Sequence, residues 1–267
     1  MAGYETSTYG DRIAAEYDQL HFPVTRFTDA TVEFLATVAG KGRALELGIG
    51  TGRIAVPLAA KGLKVSGIDA SEKMVAQMRR KPGGTAIPVV IGNFADVKVS
   101  GRFSLIYVVF NTFFALLTQD EQVRCFQRIA RRLTSDGVFL IEAFVPDLSR
   151  FDRGQRVSAL DVEADRVRFE VSQHDLSTQT VRSAHVEAGE KGVSLYPVRL
   201  RYAPPAELDL MARLAGMRLR VRYGGWNREP FDSVSPFHVS LYEVDRAKQQ
   251  LPAKSSRPKR SPRLQKK

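Results

Sequence analysis

Glu46-Leu47-Gly48-Ile49-Gly50-Thr51-Gly52-Arg53 decides how this chain folds. Ahead of it, Arg43–Leu47 reads as a short strand. After it, Thr51–Lys61 reads as a helix that Gly62 can terminate. Three alternate glycines let the backbone turn sharply and let a ligand lie against main-chain atoms. A second strand, Leu63–Ile68, ends at Asp69. An acid about 20 residues beyond such a turn can accept hydrogen bonds from two ribose hydroxyls. Strand, turn, helix, strand and acid together place a nucleoside ligand at the carboxyl ends of parallel strands.

Two ligand classes use this geometry. A dinucleotide site wants G-x-G-x-x-G, with a helix N-terminus aimed at a pyrophosphate. Here the third glycine would fall at position 53, which is Arg, and a dinucleotide-dependent oxidoreductase fails on it. The glycines run G-x-G-x-G, preceded by Glu46. An acid at that point repels a pyrophosphate and suits an ammonium or sulfonium group. The residues therefore favour S-adenosylmethionine, with S-adenosylhomocysteine as its product.

Outward from the turn, residues 10–40 read as helical, with Phe27, Thr31, Phe34, Leu35 and Val38 on one face. Ser71 is a good N-cap for a helix running to about Lys81. Ala86–Ile91 reads as a strand, and Pro88 sends it to a sheet edge because proline cannot donate to the ladder. Phe103–Phe110 is nearly all apolar, as suits a parallel strand covered on both faces. Thr118 and Glu121 form a capping box for a helix reaching Leu133, with Val123, Phe126, Ile129, Ala130 and Leu133 as its stripe. Gly137–Phe144 is a further strand. Strands alternating with helices predict right-handed βαβ units and a parallel sheet.

After Pro146 the period changes to two. Val167, Phe169 and Val171 alternate with Arg166, Arg168 and Glu170, and Val198, Leu200 and Tyr202 alternate with Arg199 and Arg201. Such alternation predicts antiparallel strands with one wet face, in an insertion over about 152–202. A helix follows, with Pro205 near its first turn and Gly216 at its end. Strands Met217–Tyr223 and Phe237–Val244 close the domain.

Of the 267 residues, 43% are hydrophobic and 26% charged, the profile of a globular protein. The net charge is +11, but residues 247–267 hold eight Lys or Arg and no acid, which leaves +3 for residues 1–246. The basicity belongs to a tail, expected to be disordered, and not to a binding face. Cys125, the single cysteine, excludes a disulfide framework and reads as a small core residue. No Cys/His cluster suggests a metal. The opening segment has no apolar core of a signal peptide, and no run approaches a membrane span of ~20 residues. The expected location is the cytoplasm.

On E46LGIGTGR53, on Asp69 with Ala70 and Met74, on I91GNF94, and on F110NTFFALL117 followed by G137VFLIEAF144, the chain resembles the class I S-adenosylmethionine-dependent methyltransferases, in particular their small-molecule group. The resemblance covers about residues 10–246. It implies a Rossmann-like α/β fold: a seven-stranded mixed sheet with one antiparallel strand near its end, N-terminal lid helices at about 10–40, and the antiparallel β insertion. Residues 1–246 would form the methyltransferase domain and 247–267 the tail. Gly48, Gly50 and Gly52 would carry the methionine portion, with Glu46 beneath it or ordering the loop. Asp69 would bind the ribose. Asn93, where the family commonly has Asp, and Phe94 would flank the adenine. Val109, Phe110 and Asn111 would line the methionine side, and Tyr17 resembles a tyrosine that covers the cofactor.

Methyl transfer from a sulfonium is an in-line displacement, so the protein must align an acceptor and exclude water. His21, Asn111, Glu142 and Trp226 are the candidates for handling the acceptor, with His21, Asn111 and Glu142 as the catalytic set. His174, His185 and His238 fall in or beside antiparallel strands and read as structural. Asn111-Thr-Phe-Phe lacks the prolines of the N-P-P-Y motif of amide methylation, and Cys125, in a helix, cannot serve C5-pyrimidine chemistry. The expected reaction is methyl transfer to an O or N atom of a small-molecule acceptor. The alternative is an RNA methyltransferase or RNA/DNA-interacting protein that uses the tail, the only part suited to nucleic acid. No membrane partner is expected, and the insertion could also pair two copies into a homodimer.

Overall fold

The computed structural model describes residues 3–20, 28–190 and 192–246. Five strands alternate with helices in the first half: β1 (Arg43–Leu47), β2 (Lys64–Asp69), β3 (Val89–Ile91), β4 (Phe103–Val108) and β5 (Leu133–Phe144). All neighbouring pairs among them are parallel. β10 (Met217–Tyr223) and β11 (Phe237–Val244) complete the sheet, in the order β10-β11-β5-β4-β1-β2-β3. β11 runs antiparallel to both its neighbours, β5 and β10. The seven-stranded mixed sheet and the reversed strand near its end are therefore present. β3 is an edge strand, as Pro88 requires: the Pro88 carbonyl accepts from Gly67 N at 2.9 Å, and no donor is needed in return.

The central strands are buried on both faces, and alternate residues serve two cores. Phe103, Ile106 and Val108 of β4 join Phe139 and Ile141 of β5 beneath helices α6 (Gln119–Ala130) and α7 (Pro205–Leu214). Leu105, Tyr107, Val138 and Leu140 face the opposite way, into the core formed with α3 (Thr28–Ala39), α4 (Ala55–Ala60) and α5 (Glu72–Arg79). Phe113, Phe126, Phe139 and Tyr242 meet mainly edge to face in the first core, an arrangement that adds to their area burial.

Capping chemistry matches expectation. Ser71 Oγ accepts from Met74 N at 3.2 Å, and Thr118 and Glu121 exchange both bonds of a capping box. Some boundaries differ. α4 begins at Ala55 and not Thr51, because Gly52 holds a left-handed φ of 72° that no helix accepts. α6 ends at Ala130, and Leu133 opens β5. Phe126 and Ile129 are buried as expected, joined by Gln122 and Cys125, while Val123 and Ala130 pack against the same core half-buried. The lid region is not one helix: α1 (Thr8–Ile13), α2 (Tyr17–Leu20) and α3 divide it, and Phe27 lies outside the described residues.

The insertion is a four-stranded antiparallel sheet, β6 (Gln155–Val162), β7 (Arg166–Asp175), β8 (Thr180–Gly189) and β9 (Gly192–Arg201), which shares no strand with the main sheet. Buried Arg201 fixes it in place, donating to Gln122 of α6, to Gln179 and to Glu207 of α7. The sheet is turned inside out. Its apolar face is outward, with Val157 70%, Val162 73% and Val193 68% exposed. Its inward face sets Arg156, Glu170, Ser183 and His185 among Val181, Val198 and Leu200. Among the described residues no helix is long and apolar enough to cross a membrane.

Candidate active site

The turn after β1 is held by two main-chain bonds, Gly48 N and Ile49 N donating to Ile68 O at 2.8 and 3.1 Å. Gly48 has φ 72°, and a Cβ there would lie 2.4 Å from Thr112 Cγ2, so no side chain fits. Bare backbone at Gly48 and Gly50 faces a cavity of about 970 Å³. Gly52, proposed for the same role, does not line it. A Cβ at Gly52 would meet Met78 Cγ at 2.4 Å, so that glycine serves the packing of α5 against the turn.

Two acids flank the turn. Asp69, at the end of β2, accepts from Gly50 N at 2.7 Å and from Ser71 N at 2.8 Å, and burial raises its pKa despite these bonds. Glu46 is 3% exposed and accepts from Tyr107 Oη at 3.0 Å. Burial pushes its carboxyl up to about 8, while the Tyr107 hydroxyl and Arg53 pull the other way. A buried carboxyl in this state ionises readily only when a cation arrives.

Helices α1 and α2 roof this end of the cavity, with Tyr9, Gly10 and Tyr17 in the lining. Asp11 accepts from Ser71 Oγ at 2.7 Å, and Asp18 accepts from Thr51 Oγ1 at 2.7 Å while pairing with Lys81 at 2.7 Å. Burial raises the Tyr17 phenol to about 12, so it stays protonated. On the other side of the roof Glu16 accepts from Tyr196 Oη, and Tyr4 Oη accepts from Arg199 N at 3.2 Å, both on β9.

Ala70, Met74, Phe94, Val109, Phe110 and Asn111 also line the cavity. Phe110 and Asn111 both hold left-handed φ, 59° and 61°, which for non-glycine residues costs about 1–3 kcal/mol each. The structure offsets that strain with two of the residues proposed for catalysis. Glu142 accepts from Phe110 N through its side chain and from Asn111 N through its carbonyl at 3.3 Å, and Asn111 Oδ1 accepts from Phe144 N at 2.7 Å. Their polar groups are thus engaged with backbone, and Glu142 does not line the cavity. Asn93 also stands outside it: Oδ1 accepts from Ala95 N at 2.8 Å and Nδ2 donates to Glu121 at 3.2 Å. Trp226 belongs to the α3 core, edge-on to Phe34 at 5.6 Å. His21 lies outside the described residues. Cys125 is buried, its thiol pushed up by burial.

The far end of the cavity is the inward face of the insertion, where Arg156, Glu170, Ser183 and His185 stand among Val181, Val198 and Leu200. Glu170 and His185 are cross-strand partners, His185 Nε2 lying 3.4 Å from Glu170 Oε2. His185, expected to be structural, belongs instead to this pair in the cavity wall. His174, hydrogen-bonded to Tyr202 Oη at 2.7 Å, and His238, buried and driven down to about 3, do not line the cavity. The signal for the pair was the alternation in 166–171, but alternation alone says which residues share a face and not what that face meets. Among the described residues no group of His, Cys, Asp and Glu could hold a metal ion.

A sequence family described as a methyltransferase domain matches residues 44–137, from β1 into β5. The solved structure of the CcbJ methyltransferase from Streptomyces caelestis is 38% identical, with a TM-score of 0.85 over 90% of this chain and 99% of that one. The cypemycin N-terminal methyltransferase of Streptomyces sp is 27% identical over 192 residues, 72% of this chain and 78% of the relative. The S-adenosylmethionine-bound structure of CalS10, an amino pentose methyltransferase from Micromonospora echinaspora, shares the fold at 19% identity, with a TM-score of 0.65 over 85% of this chain and 96% of its own.

Proposed function

The chain belongs to the S-adenosylmethionine-dependent methyltransferases, and from that premise we propose that it methylates an amine nitrogen of a small molecule. When bound, S-adenosylmethionine supplies an electrophilic methyl group whose bond to sulfur breaks as the acceptor bonds to carbon. The site fits that cofactor, because Gly48 and Gly50 leave bare main chain at the cavity wall with Asp69 and Glu46 beside it. In this reading Gly48 and Gly50 hold the methionine portion and Glu46 faces its positive charge. Asp69 accepts from the ribose, and Phe94 lies against the adenine. Tyr17 covers the bound molecule and excludes water.

The observation that carries the acceptor half is the continuity of one cavity from this turn to the polar wall of the insertion. About 970 Å³ is at the upper end of small-molecule sites, enough for a nucleoside and a second small ligand together. Glu170 supports a cationic acceptor, because its carboxyl is held down to about 2, chiefly by the His185 hydrogen bond and then by Ser172 and Ser183. The cypemycin N-terminal methyltransferase, a relative named for a chain's N-terminus, supports the choice of nitrogen over oxygen, and the amino pentose methyltransferase is named for an amine-bearing substrate.

Purified enzyme with trideuteromethyl S-adenosylmethionine and a library of small amines and matched alcohols tests the proposal by mass spectrometry. Label in amines and not in alcohols is expected. Label confined to hydroxyl compounds overturns it.

A further inference from the structure

We propose that His185 removes the proton that the acceptor nitrogen must lose, with Glu170 as its positioning residue; the inference rests on the amine reading above. A primary or secondary amine arrives at neutral pH as an ammonium ion, which has no lone pair. One N–H bond must break so that its electron pair stays on nitrogen, ready to attack carbon, while the proton bonds elsewhere. The cavity must therefore hold a proton acceptor.

Most of its polar groups are unsuited. The Tyr9 and Tyr17 phenols are protonated and pushed further up by burial. Asn111 is engaged with Phe144 N, and Glu46 stands beneath the cofactor turn. Among the described residues His185 is the one imidazole in the lining.

Its surroundings are those of a base and not of an incidental surface histidine. The β7–β8 register sets Glu170 directly opposite it. Ser172 donates to Glu170 Oε1 and Ser183 donates to Ser172 at 3.1 Å, its hydroxyl lying 3.3 Å from the same carboxylate oxygen, so the carboxylate is fixed from behind. His185 Nε2 faces Glu170 Oε2 at 3.4 Å, and a ring proton carried on that nitrogen leaves the Nδ1 lone pair to accept. On taking the proton the ring becomes imidazolium, its charge balanced by Glu170, and it returns the proton to solvent after the product leaves.

The experiment has an acceptor-independent arm and a kinetic arm. Long-range proton–nitrogen spectra of histidine-labelled enzyme with S-adenosylhomocysteine should show His185, identified by its loss in H185Q, as the Nε2–H tautomer. E170Q should perturb that signal. An Nδ1–H tautomer overturns the assignment. For the amine the wild type methylates fastest, H185Q should lower kcat about 10²-fold or more, and leave KM and S-adenosylhomocysteine affinity within about threefold. Added imidazole should restore part of the rate to H185A. Undiminished kcat in H185Q, or a loss confined to KM, overturns the inference while the amine reading stands. Absence of amine methylation by the wild type overturns that reading, and the inference with it.

Discussion

Glu46 is a carboxyl group whose ionisation is suppressed by its position beneath the turn. Its pKa in the fold, about 8, lies above the ordinary 4.5, so the folded chain binds more protons than the unfolded one between those values. Stability from this group is present below about pH 4.5 and is lost as pH rises through about 8. Melting temperatures of E46Q should therefore fall less between pH 5 and 8 than those of the wild type. A cationic ligand beside Glu46 favours its ionised form, so binding should release protons. Calorimetry with S-adenosylmethionine in buffers of different ionisation enthalpy measures that release, and E46Q should abolish it. At Asp69, replacement by Asn should weaken S-adenosylhomocysteine binding by about 1.5–3 kcal/mol, because a charged hydrogen-bond acceptor is lost. Unchanged affinity would remove the ribose assignment. Gly48, Gly50 and Asp69 were legible in the sequence because the turn and the acid are local features with a fixed spacing. Glu170 and His185 were not, because they meet only through the strand register, which the fourteen intervening residues do not announce.

At the scale of elements, the insertion is joined to the helices by one buried cation. Arg201, 5% exposed, is bonded to Gln122, Gln179 and Glu207, and the same bond with Gln179 and Gln119 keeps the Glu207 carboxyl low. R201A leaves the buried Gln122 Oε1 without its donor and removes the cation from half-buried Glu207, which keeps Gln119 and Gln179, and should cost about 1–3 kcal/mol of stability by denaturant titration. A loss below about 1 kcal/mol would mean the clamp is solvated. Elements governed by short-range rules could be read well: Met217–Tyr223 and Phe237–Val244 lie where their alternation put them. Thr118 and Ser71 cap the helices their sequences announce. The late start of α4 was hidden because apolar periodicity does not show the left-handed Gly52 that delays it. The role of Glu142 was hidden too. A carboxylate in an apolar strand suggests chemistry, whereas this one supports the strained Phe110–Asn111 turn.

For the whole molecule, charge and fold are separable. Eight cations lie in residues 247–267, outside the described residues. Removing 247–267 should leave S-adenosylhomocysteine affinity and amine methylation within about twofold; a larger loss would give the tail a part in the site. The inverted insertion has a consequence for descent. Its inward residues can change with the acceptor while the glycine turn and Asp69 stay fixed, because no ladder bond joins the two sheets. Lineages sharing this scaffold would then diverge fastest at alternate positions of 155–201, every second residue, and an exchange of that block between cousins would transplant acceptor choice wherever Tyr196 and Arg201 keep their partners outside it.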